Sequence, residues 1–209
     1  QPTATMIGFA QENYSTLDTI RETGGIVPDQ DWDRNKQKIL RAIELTASLK
    51  LNYLTFHFGF IDNTKPKLRE RVKFLADAAG EKNVMILMET GQEDAETLRG
   101  FLAELSHPAL GVNFDPANMI LYGKGDPVQA LETLAPWVKH VHIKDALRSP
   151  VAGKWGREVA WGEGDFDNNE FLRTLSRIGY QGALAIEREA GSTRMQDIQN
   201  TVRDLQQFS

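Results

Sequence analysis

The sequence predicts an α/β fold of the (β/α)8-barrel, or TIM-barrel, type, with six of the eight strands visible in 209 residues. Three observations carry this. Short apolar runs of β propensity alternate with longer segments of helical period, the pattern of βα units around a parallel sheet. Acidic and His side chains recur at the C-terminal ends of those runs, the face on which such barrels build their active sites. The chain is also shorter than the ~250 residues typical of a closed eight-stranded barrel, in keeping with a shortfall of about two βα units.

The first predicted strand, Ala4 to Ala10, leads into a long loop, Gln11 to Asp33, and then a helix from Arg34 to Leu51 with apolar positions at Ile39, Leu40, Ile43 and Leu45. A second strand, Asn52 to Phe58, precedes a helix that starts at Pro66, a favoured first-turn residue, and stops at Gly80. Strands follow at Asn83 to Glu89 and Ala109 to Asp115; Asp126 and Pro127 then open another helix, and Val138 to Ile143 forms the fifth strand. Beyond a second long loop, Ala146 to Phe166, Asp167 and Glu170 read as a capping box for a helix from Phe171 to Ile178. The sixth strand, Ala183 to Glu187, is followed by a last helix starting near Ser192. Residues 1–209 contain no repeat, low-complexity tract or linker and read as one domain. Long ordered loops in compact domains are often functional, which directs attention to the two here.

Composition narrows the chemistry. With no cysteine, neither disulfides nor thiolate ligands are available, so any metal must take oxygen and imidazole donors. A formal charge of -5 gives no broad basic surface, which argues against nucleic acid as a partner. Apolar runs such as Val84 to Met88 fall far short of the ~20 residues needed to cross a membrane. No membrane partner is expected, and a cytoplasmic location is the default expectation. The chain opens at Gln1 rather than Met, so removal of a leader stays open.

Glu89, Asp115, His142 and Glu187 each stand at or beside the C-terminal end of a predicted strand, one βα unit apart. Three carboxylates and an imidazole converging on a barrel mouth would repel one another unless neutralised, which points to one divalent cation. Oxygen-rich ligation with a single His favours Mn, Mg or Co over Zn. His57 closes its strand and is a candidate to touch substrate, against the reading of a hydrogen-bonded rim residue. Lys144 and Asp145 follow His142 into the loop as candidates to contact substrate, with a surface ion pair as the alternative role. Glu163, between Gly162 and Gly164, is a further binding candidate, because flanking glycines let backbone approach a ligand closely. His140 falls one layer deeper than His142 on the same strand face and reads as a supporting residue. Trp32, Trp155 and Trp161 in the long loops read as loop anchors, with an apolar wall against a sugar ring as the alternative, and His107 reads as a surface residue.

These residues sit in motifs, MET (88–90), NFDPAN (113–118), HVHIKD (140–145), WGEGDFD (161–167) and AIERE (185–189), that run through most of the chain. In this order they resemble the xylose-isomerase-like sugar phosphate isomerase/epimerase superfamily, which includes ketose 3-epimerases, hydroxypyruvate isomerases, inosose dehydratases and the endonuclease IV branch. The resemblance implies that Glu89, Asp115, His142 and Glu187 are the metal ligands and that Arg148, six residues past the His, binds substrate. The epimerases' substrate-contacting Glu would fall on Ala95, and their His three residues after the Asp falls on Asn118, which is kept as a substrate-binding candidate. In the superfamily the ligands lie on the fifth to eighth strands, which makes Ala4 to Ala10 the third and the domain N-terminally incomplete. An open barrel exposes two strand edges, which an incomplete sequence, a homodimer or other partner over the gap, or a minimal barrel that closes differently would each explain.

The implied activity is that of a divalent-metal-dependent isomerase or epimerase of a small sugar or keto-sugar. Proton abstraction next to a carbonyl would proceed through a metal-stabilised enediolate, with Glu89 and Glu187 as the catalytic carboxylates on either side of the substrate. A lyase or dehydratase of the inosose or 3-keto-glycoside type begins with the same deprotonation and is the alternative, and a non-catalytic relative is a third reading. The endonuclease branch, with several zinc ions and many His ligands, fits poorly with four His in an acidic chain.

Overall fold

The computed structural model of the chain describes residues 2–208. Six parallel strands form one sheet in the order of the chain: β1 (Thr5–Met6), β2 (Tyr53–Phe56), β3 (Met85–Glu89), β4 (Leu110–Phe114), β5 (Val138–Ile143) and β8 (Leu184–Ile186). Between β5 and β8 lies a separate antiparallel pair, β6 (Asp145–Leu147) and β7 (Arg157–Val159). Laid flat, five strand spacings would hold β1 and β8 roughly 24 Å apart. Instead Met6 and Glu187 line one cleft, and Thr3 Oγ1 is 2.9 Å from Nε2 of His140 on β5, so the sheet curls into a half-barrel.

Helices cover the outer face. In α2 (Trp32–Ser48) the buried positions Ile39, Ala42, Ile43 and Thr46 make one stripe at the i, i+3, i+4, i+7 spacing of a helix face. In α3 (Pro66–Gly80), Pro66 opens the first turn and Leu68, Val72, Leu75, Ala76 and Ala79 face the sheet. Carboxylate N-caps start most of the remaining helices: Asp94 accepts from Thr97 N for α4 (Ala95–Leu105), Asp126 from Val128 N and Gln129 N for α6 (Pro127–Leu134), and Asp167 from Glu170 N for α7 (Asn168–Arg177). Every residue of β4 is buried, as expected of a parallel strand covered on both faces. Phe56, Phe101, Phe114 and Phe171 are the largest side chains wholly withdrawn from solvent, and the rings of Phe114 and Phe171 lie 5.9 Å apart.

The six strands fall where the sequence places them, shortened at their ends. The first departs most, with two residues paired out of an expected seven, because Thr5 and Met6 find partners only on β2. Neither expected long loop is featureless. Residues 11–33 contain α1 (Leu17–Thr23), started by a reciprocal capping box between Thr16 and Thr19, and a 3-10 turn at Asp29–Asp31. Residues 146–166 contain part of the β6–β7 pair. The last helix, α8 (Arg194–Phe208), begins two residues after the expected start. Among the described residues, β1 and β8 each pair on one side only, and Met6 and Leu184 on these edges are 51% and 40% exposed.

Candidate metal centre and its cleft

The sheet delivers four side chains to one point. Glu89 ends β3, His142 is the fifth residue of β5, and Glu187 follows directly on β8. Asp115 follows β4 and is the N-cap of α5 (Pro116–Leu121): its Oδ1 accepts from Asn118 N at 2.9 Å, which turns Oδ2 to the shared space. Thr90 fixes this corner, since its hydroxyl accepts from Asp115 N at 2.8 Å and donates to Asp115 O at 3.0 Å.

One ligand atom from each of Glu89, Asp115, His142 and Glu187 lies within 4.8 Å of the others. His142 Nδ1 is 2.6 Å from Glu187 Oε2 and 3.4 Å from both Glu89 Oε1 and Asp115 Oδ2. Yet Glu89 Oε2, Asp115 Oδ2, His142 Nδ1 and Glu187 Oε2 are buried without a partner in hydrogen-bonding geometry. Asp115 Oδ2, His142 Nδ1 and Glu187 Oε2 face one another beside Glu89 Oε1, while Glu89 Oε2 lies 3.5 Å from His57 Nε2, and buried polar atoms left in this state are costly in an apolar interior. A cation held among the four residues would satisfy such atoms, and the hard oxygen and imidazole donors suit a divalent ion. The residues present therefore fit a metal.

The electrostatics are consistent with such a site. Burial would drive the His142 imidazole down, but the carboxylates of Asp115, Glu187 and Glu89 hold it well above the ordinary range. Burial would raise Asp115, but Lys144 and His142 pull it down to about 2. Lys144 is held fully charged against its own desolvation by three carboxylates, with Nζ 3.7 Å from Asp115, 3.5 Å from Glu187 and 2.9 Å from Glu189.

A hydrogen-bonded chain supports the imidazole from behind. His142 Nε2 is 3.1 Å from Asn113 Nδ2, Asn113 Oδ1 is 2.8 Å from His140 Nδ1, and His140 Nε2 is 2.9 Å from the Thr3 hydroxyl. A neutral imidazole that gives Nδ1 to a cation keeps its proton on Nε2. The Asn113 carboxamide must then present oxygen to His142 and NH2 to His140. The two ends of that amide are interchangeable in shape, so both states fit the same pocket.

Glu89 and Glu187 of the cluster line a cleft of about 680 Å³, a size suited to a small molecule. His57, Asn118 and Lys144 line it, with His57 Nε2 3.5 Å from Glu89 and Asn118 Nδ2 donating to Glu89 at 3.3 Å. Arg148 and Glu163 lie outside it. Arg148 is exposed, donating its main-chain N–H to Asp165 and its guanidinium to Gly125 O. Glu163 is exposed on the glycine turn, and the turn closes on protein rather than ligand: Gly162 N and Gly164 N both donate to Asp145 Oδ2. A Cβ on Gly164 would collide with that carboxylate, which explains the glycine. Asp145 is thus a loop anchor, also bonded by Asn168.

Sequence reasoning offered Trp155 as an apolar wall only as an alternative and missed Tyr14 and Tyr122 beside it. Trp155 packs on Tyr122 at 4.7 Å and on Tyr14 at 6.5 Å between ring centroids, and all three line the cleft. No period or spacing marks them, because they come from a loop, a helix C-cap and a second loop. It also missed Asn113, a buried polar residue in the middle of an otherwise apolar strand, which is the one signal that could have found it.

Comparison with known proteins agrees with this architecture. A crystal structure described as a xylose isomerase domain protein from Planctomyces limnophilus superposes with a TM-score of 0.92 at 35% identity, covering 99% of this chain and 75% of that one. Among curated proteins, an inosose dehydratase from Clostridium tetani is 26% identical over 69% of this chain and 53% of its own length. A 3-dehydroshikimate dehydratase from Bacillus anthracis is 28% identical over 55% and 44% respectively. The chain therefore spans about half the length of the curated relatives it matches. Residues 17–208 match the family described as xylose isomerase-like TIM barrel, and the chain belongs to that family.

Proposed function

We propose that this chain carries the active site of a divalent-metal-dependent enzyme that removes a proton next to the carbonyl of a small sugar or keto-sugar, as an isomerase or epimerase. The observation that carries the reading is the convergence of ligand atoms from Glu89, Asp115, His142 and Glu187 to within 4.8 Å of one another, each residue holding a buried unsatisfied atom, beside a cleft that Glu89 and Glu187 line. When bound there, a divalent cation supplies Lewis-acid polarisation of a carbonyl. Mn, Mg or Co suits the donor set best, with Zn as the alternative.

Glu89 and Glu187 reach the cleft from strands separated by β4 and β5, so they flank whatever occupies it. A carboxylate on either side can take a proton from one face of a carbon and return one to the other, the requirement for epimerisation. Glu187 is the more open of the two, with 21% of its side chain exposed against 1% for Glu89, and is assigned as the first base. Lys144, 3.5 Å from Glu187, holds that carboxylate in position beside the cleft. His57 and Asn118 orient the substrate's hydroxyls at the Glu89 side.

A second reading, dehydration, is favoured by the dehydratases among the curated relatives. It shares the first step; the proton goes to the carboxylate and the β-hydroxyl then leaves as water, taking a proton from an acid. One experiment tests both. We expect about one divalent ion per chain by elemental analysis, lost in Glu187→Ala and His142→Ala variants that still fold. Incubated with a keto-sugar panel in D2O, the loaded protein should place deuterium next to the carbonyl, and an unsaturated product would assign dehydration. A parent protein that takes up no metal on reconstitution, or that exchanges no proton, would reject the proposal.

A further inference from the structure

We infer that the ligand of this cleft is an uncharged, polyhydroxylated ring bearing a ketone, and that the cleft discriminates against phosphate esters and carboxylates. The inference rests on the carbonyl chemistry proposed above and narrows it.

Charge carries the first half of the argument. Glu12, Glu89, Glu187 and Glu189 line the cleft and Asp115 lies beneath, whereas Lys144 is the one Lys or Arg in its lining. Five carboxylates and one ammonium leave a formal charge near -4, and a divalent cation brings it only to about -2 with both histidines neutral. Lys144 is already committed, within 3.7 Å of three of these carboxylates. Glu12 is committed as well, accepting from Phe9 N at 2.8 Å and Gly25 N at 3.1 Å, so it stays in place as a fixed negative group. The nearby cations are engaged outside the lining. Lys38 Nζ donates to Gly8 O at 2.6 Å and Arg194 to Glu189 O at 2.9 Å, and Arg21 and Lys124 lie on the ring of Phe60, 4.9 and 5.8 Å from its centroid. Among the described residues no Lys or Arg other than Lys144 lines the cleft, and an anion would meet net repulsion in a partly desolvated site.

Shape carries the second half. Tyr14, Trp155 and Tyr122 form an apolar wall beside a polar floor. The electron-rich faces of such rings accept the C–H-rich face of a saturated six-membered ring, whose hydroxyls radiate outwards. The indole N–H of Trp155 is buried without an acceptor in the protein, a donor that a ring hydroxyl can satisfy.

The test is calorimetric binding to metal-loaded protein of three probes: an inosose, which is uncharged; 3-dehydroshikimate, which carries a carboxylate; and a ketose 6-phosphate. We expect the inosose to bind at least about tenfold tighter than either anion at low salt, with the gap narrowing as salt screens the cleft. Glu189→Gln, which releases Lys144, should narrow it severalfold, and Trp155→Ala should weaken inosose binding without altering metal content. Equal or tighter binding of either anion would overturn the inference while leaving the carbonyl chemistry standing. Metal-loaded protein that binds none of the three would overturn both.

Discussion

The residue that decides how well the centre works is Asn113, although it offers no ligand atom. It joins His142 to His140, and with its carboxamide oxygen turned to His142 it would hold the imidazole in the tautomer that frees Nδ1. Outer partners of this kind are commonly worth 10–100-fold in metal affinity. We expect Asn113→Leu, similar in size but unable to bond either imidazole, to weaken Mn binding by roughly 10–100-fold in a chelator competition. Asn113→Asp, which still accepts from His142 Nε2–H, should recover part of it. Leu and parent proteins of equal affinity would show that packing alone orients His142. The four candidate ligands were legible in the sequence because each sits at a strand end, where backbone direction alone determines which way a side chain faces. Asn113, Tyr14 and Tyr122 were not, since their roles depend on which strands and loops become neighbours. Arg148 shows the opposite limit: its spacing from His142 is right, but the loop turns its guanidinium to Gly125.

At the scale of elements, the long periodic helices and apolar strands were readable, whereas α1 and the β6–β7 pair were not. Seven residues, or three per strand, carry too little period to be told from loop, and their stability comes from tertiary partners such as the Asp145 carboxylate under the glycine turn. The β3–α4 connection adds a pH dependence. Asp94 there caps α4, while its neighbour Glu93 is buried, and burial pushes the Glu93 carboxyl up to about 8, against a smaller opposing pull from Lys124. From the ordinary carboxylate range up to about 8, the folded protein keeps a proton that the unfolded chain has lost. The associated stability is therefore complete below the unfolded value and is lost as pH rises through the folded one. The loss is on the order of 5 kcal/mol. Glu93→Gln mimics the protonated form and removes the titration. We expect urea midpoints to show little difference between parent and variant at pH 4 to 5 and a clearly more stable variant at pH 8.5. A parent-to-variant difference that does not change with pH would mean that Glu93 ionises freely in the folded protein.

For the molecule as a whole, the apolar core and the candidate centre pull in opposite directions. Burying Phe56, Phe101, Phe114 and Phe171 behind a curled parallel sheet favours the fold, while the same sheet carries three carboxylates and an imidazole to within 4.8 Å of one another and leaves an atom of each unsatisfied. A ligand that binds only the folded state returns this cost by mass action, about 2.7 kcal/mol at a hundredfold excess over Kd. In a chain of this length each kcal/mol moves the midpoint by roughly 2–4 °C, so saturating Mn should raise Tm by roughly 5–10 °C and EDTA should reverse it. His142→Ala removes a ligand that no surface site would miss. If the shift comes from the centre, that variant should show little of it at the same Mn concentration, whereas scattered surface carboxylates would give both proteins the same shift. An equal shift in both would place the ion elsewhere and remove the stabilising role assigned to the cluster.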